Sequence, residues 1–371
     1  MRQQNHPLLS ASLGTQRHIV SFHFGEESER QVYIQAALHG DELPGMAVAW
    51  YLKQRLLALE SAGKLNAAIT LVPVANPLAL AQHSHGIPVG RFHTLSGQNF
   101  NRQFPLLGDA LAPALLETLT SSMVENKQLI RDALDVHFRD RIPHTELDSQ
   151  RFILMRIASQ ADLMIDLHSD MEALPHLSTT RQAWPHIEPL ARRLGSQVHL
   201  LTEDAAGESF DKACCEPWNT LKQRFGNDYP IPDGLQPVTF KLCGMRDISP
   251  HQAEQDAEAI IHALIDAGFI SGKAPPLPPL AGKPTPLAGC EYLSAPHSGL
   301  ILYRRELGER VKAGEVVAEI VDPNTDLVTP LIAEYGGLFY ARHWIRFATA
   351  GMMVARLAGE HAHRKGSLQV T

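Results

Sequence analysis

Apolar and polar positions alternate in blocks along this chain, and the blocks change period several times. Gln31-Val-Tyr-Ile-Gln-Ala-Ala-Leu38 is a β-rich run that stops at the polar tetrad His39-Gly40-Asp41-Glu42. From Pro44 the apolar positions Met46, Val48, Ala49, Leu52 and Leu56 recur at helical spacing as far as Gly63. Residues 67–74 read as the next strand, closed by Asn76-Pro77. A long polar loop then runs from about His83 to Pro105. Residues 150–160 have a helical pattern, and Leu163-Met-Ile-Asp-Leu167 is a short buried strand ending at His168. Residues 197–201 and 238–242 are further strands, and Ser249-Pro250 opens an amphipathic helix carrying Ala257, Ile260, Ile261, Leu264 and Ile265.

Strands alternating with helices predict an α/β class with a mixed, largely parallel sheet flanked by helices. Sites in such sheets form in loops beyond the carboxyl ends of strands, where His39 and His168 both fall. Residues 273–286 are rich in proline and are expected to be an extended, semi-rigid linker. Short β-rich runs separated by turn residues follow it, so 287–371 is expected to be a small all-β domain. The predicted organisation is an α/β domain over 1–272, the linker, and the β-domain. The segment from Ala295 to Ile320 resembles lipoyl and biotinyl carrier domains, but no lysine occupies a hairpin tip. A structural module is the expected reading.

Composition removes several function classes. The 371 residues are 44% hydrophobic, enough for a sizeable core. A formal charge of −7 without a strongly basic segment argues against nucleic acid as partner. No apolar run approaches the ~20 residues of a membrane span, and Met1-Arg-Gln-Gln-Asn-His-Pro7 lacks a signal-peptide core. A cytoplasmic protein without membrane partners is expected; a homo-oligomer is admissible. Cys214, Cys215, Cys243 and Cys290 form no CxxC pair and are expected to be reduced thiols.

A catalytic zinc takes three protein ligands and leaves one position to water. His-x-x-Glu occurs at His23/Glu26, His39/Glu42 and His251/Glu254. Only His39/Glu42 lies between a buried strand and a helix, with Gly40 expected to permit a tight turn. His168 arrives from elsewhere in the fold as the candidate third ligand, with a buried structural histidine as its alternative. Arg102, beside Asn101 in Gln98-Asn-Phe-Asn-Arg-Gln-Phe-Pro105, can grip a carboxylate or polarise a carbonyl. Arg91 is a second candidate clamp; for either arginine alone a surface ion pair is equally expected. His83-Ser-His85 is another possible metal pair, with a flexible loop as the expected reading.

The order His39-Gly-Asp-Glu42, Asn76-Pro77, Asn101-Arg102, Asp166-Leu-His168-Ser169 and a C-terminal β-domain resembles the succinylglutamate desuccinylase/aspartoacylase family. These are zinc-dependent relatives of the M14 metallocarboxypeptidases. The resemblance implies a zinc carboxypeptidase-like fold and one Zn2+ per chain on His39, Glu42 and His168. It also implies substrate contacts at Arg91, Asn101 and Arg102. The implied substrate is a small anionic N-acyl amino acid, cleaved at its non-peptide C–N bond; some relatives act as esterases.

One position departs from that pattern. The family strand carries Thr, a hydrophobic residue and a glutamate that serves as general base and acid, whereas here it reads Thr239-Phe240-Lys241, followed by Cys243 where many relatives have arginine. A lysine ammonium cannot accept a proton. Three readings follow: another carboxylate serves, with Glu172 and Glu208 nearest in sequence; a neutral Lys241 is the base; or the chain binds an acyl-amino-acid-like ligand with weakened or no turnover.

Overall fold

The structure is a computed structural model and describes residues 1–203 and 207–364. Its centre is a nine-stranded sheet. In chain order the strands are β1 (Arg2–Pro7), β2 (His18–Phe24), β3 (Gln31–Ala36), β4 (Ala68–Val72), β5 (Leu163–Asp170), β6 (His176–Thr180), β7 (Val198–Thr202), β8 (Gln236–Gly244) and β9 (Pro284–Pro286). They lie side by side as β1-β2-β4-β3-β5-β8-β6-β7-β9. The pairs β1/β2, β2/β4 and β6/β8 are antiparallel, and the rest are parallel. The expected mixed, largely parallel α/β sheet is therefore the observed one.

Each face of this sheet is covered by helices, and each has its own core. Val32, Ile34 and Ala36 of β3 point into a core formed with the Pro44–Ser61, Trp184–Arg193 and Pro250–Asp266 helices. Tyr33 points the other way, into a second core with Phe100, Phe104, Phe210 and the helices Gly108–Leu116, Met123–Asp140, Glu146–Ala158 and Phe210–Phe225. The period-2 alternation of side chains in a strand makes this division. It also puts Gln35, Asp166 and His168 on the same side as Tyr33.

Several expected bounds shift. The 163–167 run is only the first part of β5, so His168 lies within the strand and not after it. Of the proposed linker 273–286, Pro284–Pro286 pairs with β7 as the sheet edge, and Pro275, Pro276 and Pro278 accept hydrogen bonds from Arg192 and Arg193. An edge position suits prolines, which have no N–H to offer a neighbour. Beyond it, Cys290–Ser294, Arg310–Lys312, Gly336–Arg342 and Met353–Ala358 lie in one antiparallel sheet, and Gly299–Tyr303, Val316–Asp322, Leu327–Ile332 and Phe347–Ala348 in another. These strands enclose an apolar core around Ile301, Val317, Ile320, Phe339 and Leu357. The two-residue strand Glu172–Ala173, just after β5, pairs with Gly336–Arg342 and ties the layers together.

Candidate metal centre and cleft

β3, β5 and β8 run parallel, so their carboxyl ends open on one edge of the sheet. His39 and Glu42 follow β3, and Glu42 precedes the helix that starts at Pro44. His168 stands on β5, in register with Lys241 on β8, and Lys241 is in turn in register with His176 on β6. Cross-strand neighbours project to one face, so His168, Lys241 and His176 form a row along the cleft floor.

The turn around His39 is made differently from the expectation. Gly40 does not need a left-handed backbone; Ala37 takes that conformation instead, with φ +58°. What Gly40 supplies is closeness, because a Cβ there would meet Ala79 C at 2.5 Å and Leu80 N at 2.6 Å. A Cβ on Gly90 would come within 2.4 Å of Asp41 N, and Gly40 N donates to Gly90 O at 2.9 Å. Two glycines thus lay the loop that carries Arg91 directly on the His39–Glu42 turn. Arg91 donates to Glu42 Oε1 at 3.3 Å.

His39, Glu42 and His168 are all buried, and ligand atoms from the three lie within 4.8 Å of one another. His39 Nδ1 is 2.8 Å from Glu42 Oε1, and His168 Nδ1 is 2.7 Å from Glu42 Oε2. The outer nitrogens are committed elsewhere. Asn101 N–H donates to Asn99 Oδ1 at 2.9 Å, which identifies that atom as an acceptor, so His39 Nε2, 3.0 Å away, must donate to it. His168 Nε2 likewise donates to Asp166 Oδ2 at 2.9 Å. Ser169 N–H donates to Glu42 Oε2 at 2.9 Å, so Glu42 is an acceptor on both oxygens.

A neutral His39 therefore turns a lone pair on Nδ1 toward a carboxylate oxygen. Burial drives the His39 pKa down to about 4 and so favours the neutral form, against the opposing pull of Glu42. Burial opposes ionisation of Glu42 too, but Lys241, His168 and His39 overcome it and hold the carboxyl well below its usual range. Two acceptors facing each other in a dry site repel unless a cation lies between them. His168 shows the same demand in metal-free form: burial lowers its pKa, yet Asp166 and Glu42 raise it to about 10. Two imidazoles and a carboxylate, each imidazole held from behind by an oxygen acceptor, are the donor set and support that zinc uses. The residues present fit that metal.

The cleft beside this cluster is lined by His39, Arg91, Asn101, Arg102, His168 and Lys241, so the sequence-predicted residues do come together; Glu42 lies buried just behind His39 and His168. Asn101 Oδ1 accepts from Phe210 N–H at 2.8 Å and its carbonyl from Arg102 at 2.7 Å, so one asparagine sets the Arg102 loop. Gln103 follows with φ +59°, a conformation costly for a side chain with a Cβ. Burial and Arg91 lower the Arg102 pKa, and Asp211 opposes them.

Lys241 Nζ donates to Ser169 O at 3.2 Å and lies 4.0 Å from Asp170 Oδ2. Asp170 is already held by Arg356, at 2.5 Å, from the Met353–Ala358 strand. Neither carboxylate proposed from the sequence as a substitute base lines this cleft. Glu172 is engaged by Arg342 Nε at 2.6 Å and by Arg346 at 2.7 Å, and Glu208 is exposed. Pairing with the C-terminal sheet draws Glu172 away, which four residues of separation from His168 could not reveal. Asp211 does line the cleft, accepting from Ser209 at 2.6 Å and Thr239 at 3.2 Å. Asp170, His176, Asp211 and Arg356 were missed from the sequence, and only Asp170, two residues beyond His168, carried any signal. His83 and His85 are exposed, away from the cluster.

Residues 28–140 match the family model for the succinylglutamate desuccinylase/aspartoacylase catalytic domain. An N-alpha-acetyl-L-2,4-diaminobutyric acid deacetylase from Halomonas elongata is 23% identical over 326 residues, covering 86% of this chain and 79% of the relative. A solved succinylglutamate desuccinylase/aspartoacylase family protein from Shewanella amazonensis SB2B superimposes with a TM-score of 0.83 at 23% identity, over 96% of this chain and 98% of the other. The product-bound ectoine utilization protein EutE from Ruegeria pomeroyi gives 0.70 at 17% identity, over 97% and 95%. At these identities the solved structures show a shared fold. The family read from the motifs, succinylglutamate desuccinylase/aspartoacylase, is thus the one whose catalytic-domain model this chain matches and whose fold it has.

Proposed function

We propose that this protein is a zinc-dependent deacylase that hydrolyses the amide (non-peptide C–N) bond of a small N-acyl amino acid or related carboxylate-bearing compound. The observation that carries the reading is the arrangement of His39, Glu42 and His168, whose inner nitrogens and carboxylate oxygens converge in a buried site while the outer imidazole nitrogens are held by Asn99 and Asp166. The deacetylase name of the Halomonas relative supports the reaction class. His39, Glu42 and His168 would hold one zinc ion, which when bound supplies a Lewis acid for the acyl carbonyl and a water of lowered pKa.

The chain's own residues do the rest. Arg102 and Arg91 offer guanidinium donors to the substrate carboxylate, and Asn101 fixes the loop from which Arg102 reaches. Lys241 lines the cleft and spends one of its three donors on Ser169 O. At that position an ammonium stabilises the negative charge that develops on the acyl oxygen, a role for a donor and not for a base. Burial of the cluster keeps these interactions strong.

Metal content tests the centre: His39→Ala and His168→Ala should each abolish stoichiometric zinc, and unchanged zinc would sink the assignment. Assay of the wild type and Lys241→Glu on a panel of N-acyl amino acids tests turnover. Loss of a general base typically costs about 10²–10⁴ in rate. A wild type that hydrolyses well, and loses rate with Lys241→Glu, supports the donor role. A Lys241→Glu gain of that size would favour the reading in which this chain is a weakened, ligand-binding relative.

A further inference from the structure

Behind His168 the site continues as a chain of buried polar groups. His168 Nε2 donates to Asp166 Oδ2, and Asp166 Oδ1 accepts from Gln35 Nε2 at 2.9 Å. Gln35 Oε1 accepts in turn from the Tyr33 hydroxyl at 2.8 Å. Tyr33 is 1% exposed, and Gln35 and Asp166 are fully buried, so none of these bonds can be exchanged for bulk water. Gln35 and Asp166 are register partners on β3 and β5, and Tyr33 is two residues back on the same face as Gln35.

The direction of every bond follows from its two ends. An amide can be turned over, and a reversed Gln35 would set Oε1 against the Asp166 carboxylate. The Tyr33 O–H prevents this by demanding an acceptor, which keeps Nε2 toward Asp166. Asp166 is then satisfied on one oxygen and leaves the other for His168 Nε2–H. With the proton kept on Nε2, Nδ1 faces Glu42 and the cleft. The Tyr33 ring is packed against Phe210 at 6.2 Å, in a core that offers the hydroxyl no water. Burial and the Asp166 charge raise the Tyr33 pKa well above its usual 10, so the phenol remains a donor.

We infer that Tyr33 and Gln35 are positioning residues for the metal centre, a buried relay that fixes the tautomer and ring orientation of His168 through Asp166. The inference rests on the zinc reading of His39, Glu42 and His168. A core built only for stability would place apolar side chains at these two strand positions, since buried polar chains gain little net stability. Outer hydrogen-bond partners of metal ligands typically change affinity by about 10–100-fold.

Zinc affinity of the full chain, measured by chelator competition, and the cobalt absorption spectrum test the relay, with apo-protein melting recorded alongside. Tyr33→Phe removes one oxygen and keeps the ring; it should weaken zinc about tenfold and alter the cobalt spectrum. Gln35→Leu should weaken zinc at least as much, and the double variant no more than Gln35→Leu alone, because Tyr33 acts through Gln35. A lower melting point in Tyr33→Phe with zinc affinity and cobalt spectrum unchanged would overturn the relay and leave the centre standing. A wild type that takes up no zinc would overturn both.

Discussion

Arg356 and Asp170 show how a single side chain from one layer sets the electrostatics of another. Asp170 is buried, and burial alone would raise its pKa, but Arg356, Lys241 and His176 together push it far down. Arg356 is itself held above its normal range, chiefly by Asp170 working against burial. Removing one partner of a buried pair leaves an uncompensated charge and typically costs about 3–5 kcal/mol. Arg356→Met should therefore lower stability by about 3 kcal/mol in denaturant unfolding. It should also draw Lys241 toward Asp170 and away from the cleft, lowering kcat because the ammonium no longer meets the charge developing on the acyl oxygen. A variant with unchanged midpoint and kcat would remove Arg356 from this account. The contrast with Glu172 is instructive: its pairs with Arg342 and Arg346 are partly exposed, and Glu172→Ala should cost no more than about 1 kcal/mol.

Among the elements, the loop from Gly90 and the turn at Gly40 are joined backbone to backbone, and this join sets where Arg91 meets Glu42. Gly90→Ala would drive a methyl into Asp41 N and Gly40, atoms that cannot rotate aside. Such overpacking costs about 1–3 kcal/mol, and the shift it forces on His39 and Glu42 should lower zinc affinity; retained affinity would show that the turn tolerates separation from the loop. The Pro250–Asp266 helix carries a different liability. Burial raises Asp256 to about 6, with Gln252 opposing it at 2.8 Å. A carboxyl raised in the folded state favours folding at low pH, and that contribution is lost as pH climbs from about 4 through about 6. Asp256→Asn should accordingly stabilise the protein above pH 6, on the order of 2 kcal/mol, and change nothing near pH 4. Equal midpoints for the two proteins at pH 7.5 would refute this.

On the scale of the molecule, the central sheet separates two cores, and the C-terminal sheets lean on its cleft edge. Leu287, Tyr292, Tyr340 and Arg356 reach the same cleft as His39 and Lys241, so the wall facing the candidate metal cluster comes from the far end of the chain. His176 packs edge-on against Tyr340 at 5.0 Å, part of that contact. Among the described residues no helix is long and apolar enough to cross a membrane.

Local pattern determined much of this. Periodicity marks β3, β4, β5, β8 and the Pro44–Ser61 and Pro250–Asp266 helices, because their apolar faces repeat with the period of the element itself. The tetrad after β3 and the Asp166-Leu-His168 segment mark the buried His39, Glu42 and His168 cluster that could hold a metal, because the candidate ligand and the acid behind it are neighbours in sequence. The Gly108–Leu116, Met123–Asp140, Trp184–Arg193 and Phe210–Phe225 helices were not read, although buried positions such as Ile130, Leu134 and Phe138 recur at helical spacing; Pro113, Pro189 and Pro217 and buried polar residues such as Asn126 and Arg131 interrupt the apolar pattern. Only the tertiary structure decided which carboxylates belong to the cleft. Glu172, close to His168 in sequence, is turned outward by its pairing with Gly336–Arg342, while Asp211 and Arg356 arrive from a distant helix and strand. The identity of Lys241 was plain from the start. Its surroundings were not, because strand register, which sets it between His168 and His176, is fixed by long-range pairing and not by any nearby residue.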